Sequence, residues 1–249
     1  MKFIFLTLFP ELIQEACQVS IVGRALKAEL FSVECINPRD YTKDNHRSVD
    51  DTPCGGGLGM VLKPEPFLLA LAEAKKRAPD ALTIALTPGG KLLVQKTVVE
   101  LARGKQDIIF LCGHYEGFDR RILDQVDVEL SIGDYVLTGG ELPALVLLDA
   151  IARYIPGVLG KEGSTDEESF SDGLLEYPQY TRPVVYKGQK VPEVLLSGDH
   201  VAIKRWRRKK ALQATLNVRP DVLTKAQLTL EDVELLSEIF TENKVKKHE

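Results

Sequence analysis

The sequence predicts an α/β protein built on a largely parallel sheet, followed by a small helical region. Three observations carry that prediction. Short apolar runs of strand character alternate with stretches of helical periodicity. The runs starting at Leu82, Asp107 and Val126 are apolar enough to be covered on both faces. Glycine-bearing loops follow three of the runs, after Leu86, Leu111 and Leu130. Ligands of such sheets sit beyond the carboxyl ends of the strands.

Taken in order, Phe3 to Phe9 is β-rich and apolar. Pro10-Glu11 opens a helical pattern that continues through Ile21, Ala25 and Leu26. Phe31 to Ile36 is a second strand, broken by Asn37-Pro38-Arg39-Asp40. A polar segment from Tyr41 to Asp51 leads into Thr52-Pro53-Cys54-Gly55-Gly56-Gly57-Leu58-Gly59-Met60. Glycines at 55, 56, 57 and 59 hold no regular element stably, so this is a loop shaped around something or a flexible connector. No Gly-Lys-Ser/Thr follows, which excludes a Walker loop. Pro64 to Arg77 reads as a helix, Leu82 to Leu86 as a buried strand, and Thr87-Pro88-Gly89-Gly90 as a turn. Leu92 to Leu101 is helical, and Asp107 to Cys112 is a strand that ends in Gly113-His114-Tyr115-Glu116-Gly117. Val126 to Leu130 is the fifth strand. None of the loops is a GxGxxG opening a helix, and no acidic residue stands at the ribose-binding distance, which argues against a dinucleotide-dependent dehydrogenase.

The stretch from Ser131 to Gly160 reads as a tight loop feeding a helix. Gly133, Gly139 and Gly140 allow sharp turns or close approach to a ligand. Pro143 suits a first helical turn; Leu142, Leu145, Leu148, Ala152 and Ile155 recur at helical spacing; Pro156-Gly157 stops the helix. By local pattern this is a buried loop–helix unit or a ligand loop. Arg153 is the one charged residue that stands out late in it.

Composition bounds the rest. The 249 residues are 44% hydrophobic and 27% charged, which leaves room for a sizeable core in one large domain or a large and a small one. No apolar run reaches a membrane span, and Met1 to Phe5 reads as a first strand, not a signal peptide. Cys17, Cys35, Cys54 and Cys112 have no CxxC spacing and are expected as reduced thiols of a cytoplasmic protein. A net charge of −4 argues against a uniformly positive surface but leaves room for a local basic patch.

From Lys161 to Ser171 the chain turns polar and acidic, as a solvated linker does. Leu174 to Pro183 is extended and carries Tyr177, Tyr180 and Arg182. A helical region follows from about Val191. Between His200 and Arg219 it holds seven Lys or Arg and no Asp or Glu, with Ile203 and Trp206 expected to face the core. That cluster is either a solvated face or a contact for a phosphate backbone. Asp221 to Phe240 closes the chain as helices, with Leu228, Leu230, Val233, Leu236 and Ile239 as apolar positions.

Together these segments resemble the bacterial tRNA (guanine-N1)-methyltransferases. The resemblance rests on Leu6 to Glu11, Val49 to Pro53 with Gly55 to Met60, Leu111 to Gly117, Ser131 to Gly160, Tyr177 to Pro183, and Val191 to His200 with Arg205-Trp206-Arg207. It implies a SPOUT-type, mostly parallel sheet with a C-terminal trefoil knot, an exception to ordinary connection rules. Domains are expected at 1–160 for the knotted methyltransferase, 161–175 for a linker and 176–249 for a helical tRNA-binding region. The implied partners are the tRNA anticodon stem-loop and a second copy in a homodimer that shares its active site, with no membrane.

The implied reaction moves a methyl group from S-adenosylmethionine to N1 of the guanine 3′ of the anticodon. The donor pocket would use Pro88, Gly113, Tyr115, Gly117, Ile132, Gly133, Asp134, Tyr135, Val136, Leu137, Gly139, Gly140 and Pro143. Asp50 with Gly55, Gly56 and Gly57 would meet the guanine. Lys204, Arg205, Arg207 and Arg208 would hold the stem backbone. N1 carries a proton that a carboxylate must accept, and the charge that moves to O6 needs a cation. Arg153 would be the cation. The base would be Glu168, where the family carries an aspartate, with Asp166 and Asp172 as nearby alternatives. Magnesium is implied as well, held by no fixed site and nearest Glu116. A catalytically inactive RNA-binding protein of the same fold is the alternative, and the Glu168 departure is the feature that favours it.

Overall fold

The computed structural model describes residues 1–160 and 168–245, with side chains to residue 242. The chain divides into two compact units, Met1–Gly160 and Lys161–Glu249.

The first unit runs β1 (Lys2–Leu6), α1 (Pro10–Ala16), α2 (Ser20–Lys27), β2 (Ser32–Ile36), β3 (Asp50–Asp51), β4 (Val61–Leu62), α3 (Pro64–Arg77), β5 (Leu82–Leu92), α4 (Gln95–Gly104), β6 (Ile108–Cys112), α5 (Arg120–Leu123), β7 (Val128–Ser131) and α6 (Glu141–Ala152). Five strands form one sheet in the order β2-β1-β6-β5-β7. Every pairing in it is parallel, so all five carboxyl ends lie at one edge. The period-2 alternation of β1 sends Phe3 and Phe5 into one core and Ile4 and Leu6 into the other. α6 covers the first face through Ala144, Leu147, Leu148 and Ile151; α3 covers the second through Phe67, Ala70, Leu71 and Ala74. The fold is thus the expected mostly parallel α/β class.

Several boundaries differ from expectation. The helical pattern after Pro10 is two helices, α1 and α2, separated at 17–19. Thr87 to Gly90 does not end a strand: β5 continues to Leu92, its register against β7 shifting between Leu86 and Lys91. α4 therefore begins at Gln95, not Leu92. The buried stripe of α6 runs Pro143, Ala144, Leu147, Leu148, Ile151 and Ala152, while Leu142 is exposed and Ile155 lies past the helix end.

The second unit contains the hairpin β8 (Val185–Tyr186) and β9 (Gln189–Lys190), then α7 (His200–Val218), α8 (Pro220–Leu223) and α9 (Leu230–Val245). Asp199 caps α7 by accepting from the Val201 and Ala202 amides, both at 3.0 Å. Thr229 and Asp232 cap α9 reciprocally: the Thr229 amide donates to Asp232 Oδ2 and the Asp232 amide to Thr229 Oγ1. The core is Leu174, Ala211, Leu212, Leu235 and Ile239. Ile203 and Trp206, expected there, are only half-buried, and Leu230 and Val233 face outward. Leu174 and Leu175, within the stretch read as a connector, belong to this packing: Leu174 is buried and the Leu175 amide donates to Thr215 Oγ1 at 2.8 Å.

Candidate active site

Because β6, β5 and β7 are adjacent and parallel, the loops leaving their carboxyl ends meet. They enclose a cavity of about 200 Å³. The first wall is Leu86, Thr87 and Pro88; the second is Gly113 to Phe118; the third runs from Leu130 to Pro143. The convergence expected of the three glycine loops is present.

Short backbone contacts join the second and third walls. The Gly140 amide donates to the Gly113 carbonyl at 2.8 Å, and His114 bridges to Gly139. A Cβ on Gly140 would stand 2.8 Å from both Cys112 Cα and Gly113 N. Only a glycine lets these strands of chain approach so closely. At Gly117 the demand is conformational instead: φ is +101°, and a Cβ there would meet nothing within 4 Å.

The glycine loop after Pro53 is tied to the same wall. The Glu116 amide donates to the Met60 carbonyl at 3.0 Å and the Leu62 amide to the Gly117 carbonyl at 2.9 Å. Gly59 lies against the Glu116 side chain: a Cβ at 59 would be 2.4 Å from Glu116 Oε1. Gly55 and Gly56 have open space around them, so this loop has room beside it and is anchored at both ends. Asp50 opens the short β3–β4 pair, opposite Leu62.

Under the third wall lies a buried carboxylate. Glu141, in the first turn of α6, is 3% exposed. Its Oε1 accepts from Thr7 Oγ1 at 2.8 Å, and its Oε2 is 3.8 Å from His114 Nε2.

Of the residues expected around a donor, Pro88, Gly113, Tyr115, Gly117, Ile132, Gly133, Tyr135, Val136, Leu137, Gly139, Gly140 and Pro143 line the cavity, and so does Glu116. Asp134 does not: its neighbours Gly133 and Tyr135 line the cavity while it is exposed outside the lining. Arg153 is the C-cap of α6 and is not part of the lining. Glu168 belongs to the second unit. There its carbonyl accepts from the Ser171 amide and hydroxyl, at 3.1 and 2.6 Å. Asp166 lies outside the described residues. Asp172 is paired with Arg208. Leu86, Thr87, His114, Phe118, Leu130, Ser131 and Thr138 also line the cavity and were not singled out. Their signal was position, since each lies in or beside one of the three loop motifs.

The basic run on α7 is not uncompensated. Arg205 pairs with Glu238, Lys209 with Glu238 and Glu242, and Arg208 with Asp232 and Asp172. Arg208 donates to both Asp232 oxygens, at 2.7 and 2.9 Å, and holds that buried carboxyl down at about 2. The Arg207 guanidinium lies 4.9 Å over the Tyr177 ring. Among the described residues, Lys204 is exposed and makes no ion pair.

Three of the thiols are masked. Burial pushes Cys17 up to about 11 and Cys35 to about 12, and raises the buried Cys112 thiol well above its ordinary value. Cys54 is exposed beside the glycine loop. Among the described residues no group of three or more His, Cys, Asp or Glu is placed to hold a metal ion, and no helix is long and apolar enough to cross a membrane.

The family model described as tRNA (Guanine-1)-methyltransferase TrmD matches residues 1–225. A protein of a Synechococcus strain named tRNA (guanine-N(1)-)-methyltransferase is 51% identical over 243 residues, covering 97% of this chain and 96% of its own length. Proteins of the same name from Dictyoglomus turgidum and Syntrophomonas wolfei are 52% and 53% identical, covering 95% and 96% of this chain and 95% and 97% of their own.

Proposed function

The chain belongs to the tRNA (guanine-1)-methyltransferase family, and from that membership we propose that it methylates N1 of the guanine 3′ of the anticodon, position 37, in tRNA, with S-adenosylmethionine as donor. The observation that carries the reading is the convergence of three loops on one cavity whose second wall is tied to the 55–60 loop. Donor and target nucleotide then have adjoining places. Nothing in the comparisons favours the inactive alternative.

The lining suits an adenosyl group. Leu86, Ile132, Leu137 and Pro143 give apolar walls, and Gly117, with open space around its Cβ position, leaves backbone for a ligand to approach closely. At about 200 Å³ the cavity is smaller than the roughly 300 Å³ at which ligand pockets usually begin. In the homodimer that this reading includes, a shared site would enclose the rest of such a molecule. The trefoil knot, the cytoplasmic location and the division into a methyltransferase domain, a connector and a tRNA-binding domain belong to the same proposal.

The donor brings a methyl group already electrophilic on its sulfonium. The chain's task is on the guanine. Glu168 accepts the N1 proton, and Arg153 stabilises the charge that gathers on O6. Asp172 is paired with Arg208, which makes it less available as a base. Asp50 and Gly55 to Gly57 hold the guanine. Magnesium, which seldom needs more than one or two carboxylates beside waters and substrate oxygens, fits Glu116 as its nearest carboxylate.

Labelled S-adenosylmethionine with tRNA transcripts in which the guanine is varied tests the reaction. Incorporation that depends on that guanine is expected, and none under magnesium would overturn the proposal. Glu168→Gln is expected to abolish turnover and keep tRNA binding; near-normal turnover would move the base to Asp166 or Asp172.

A further inference from the structure

We propose that Glu141 and His114 act together as positioning residues that lock two walls of the donor cavity to each other and to the sheet. The inference rests on the methyltransferase reading and deepens it. Glu141 is nearly fully buried, and a buried carboxylate is costly unless its oxygens are engaged. Thr7 engages one. The Phe9 amide donates to Thr7 Oγ1 at 2.9 Å, which leaves the hydroxyl proton to point at Glu141 Oε1, 2.8 Å away. The other oxygen faces the imidazole Nε2 of His114 at 3.8 Å. The amino end of α6 adds a favourable field for negative charge at this position.

His114 passes this anchorage to the cavity. Its ring packs against Phe9, with centroids 4.9 Å apart, and meets Tyr115 edge-on at 5.5 Å. Tyr115 lines the cavity with φ +57°, a conformation that persists in a non-glycine residue only when the surroundings impose it. The third wall closes over the pair. A Cβ on Gly139 would stand 2.4 Å from Glu141 Oε2 and 2.6 Å from His114 Nε2. Gly139 is therefore the lid on the carboxylate–imidazole gap. Thr7, His114, Gly139 and Glu141 form one connected unit drawn from the segment that follows β1, the second wall and the third.

The test is Glu141→Gln, His114→Gln and the double variant in the full-length protein. The readouts are the Kd of S-adenosylhomocysteine, the KM of each substrate, kcat and Tm. Glu141→Gln keeps the Thr7 bond and the volume but removes the charge. A rise of about tenfold in donor KM and in the Kd of S-adenosylhomocysteine is expected, because the Thr7 bond loses its charge assistance, with tRNA KM unchanged. The double variant should fall no further than the worse single, because coupled residues are not additive. Multiplying losses in the double variant, or an unchanged Kd in either single variant, would overturn the inference; His114→Gln carries the test alone if Glu141→Gln does not fold. A wild-type protein that binds no S-adenosylhomocysteine would instead sink the methyltransferase reading.

Discussion

Gly140→Ala isolates the steric demand of the donor cavity. Its added Cβ would sit 2.8 Å from two backbone atoms, Cys112 Cα and Gly113 N. Carbon contacts settle near 3.5–4.0 Å, so the third wall must retreat from the second by about 1 Å. No flexible side chain can absorb that shift, and the 2.8 Å bond from the Gly140 amide to the Gly113 carbonyl is stretched with it. Forced overpacking of this kind costs about 1–3 kcal/mol. For a chain of this size each kcal/mol lowers Tm by about 2–4 °C. Calorimetric titration with S-adenosylhomocysteine, beside a melting curve, should show binding weakened by about tenfold or more and a lower Tm, the cost of prising two walls apart. Gly104→Ala is the control: its Cβ meets nothing within 4 Å, so a small stabilisation is expected. Gly117→Ala separates strain from crowding, for it has space but φ +101°. A Gly140→Ala protein with wild-type affinity and Tm would refute the crowding argument and the close packing of the two loops on which the site rests.

The ion pair of Arg208 and Asp232 gives the helical unit a pH signature. The folded carboxyl, held at about 2 by the Arg208 guanidinium, is depressed from 3.8, so its stabilisation is complete above about pH 4 and is lost as pH falls through 2. That difference is on the order of 2 kcal/mol. Urea melts followed by Trp206 fluorescence from pH 5 to 2 should show it, and Asp232→Asn should remove this part of the slope. Lys204→Ala should leave Tm nearly unchanged, weaken tRNA binding for every sequence and reduce the salt slope by about one; an unchanged slope would remove Lys204 from the RNA contact. In the native state iodoacetamide should modify Cys54 alone, since burial raises the other three thiols well above their ordinary value. The alkylated protein should still bind S-adenosylhomocysteine but methylate tRNA poorly; fast modification of a second thiol would contradict the burial.

What the sequence reveals here depends on how far each structural cause reaches along the chain. Ile108–Cys112 is buried at every position, so the run itself reads as a two-sided strand. The continuation of β5 past Thr87 is different. It exists because Lys91 and Leu92 pair with Leu130 and Ser131, and nothing near Pro88 announces partners forty residues away. The cavity was legible because parallel strands deliver their loops to one edge, whatever the loops contain. Asp134 follows Gly133 in the motif but lies outside the lining, a placement that depends on how the loop turns and not on the motif itself. The charge run on α7 shows the same principle most sharply. A window over residues 204–210 contains one sign of charge, yet Arg208 finds its acids 24 residues ahead and 36 behind, and Arg205 finds Glu238 33 residues ahead. Arg205, Arg208 and Lys209 hold two helices together, and a cation already spent on a carboxylate has little left for a phosphate. Lys204, outside the pairing, is then the residue on which an RNA contact by α7 should be measured first.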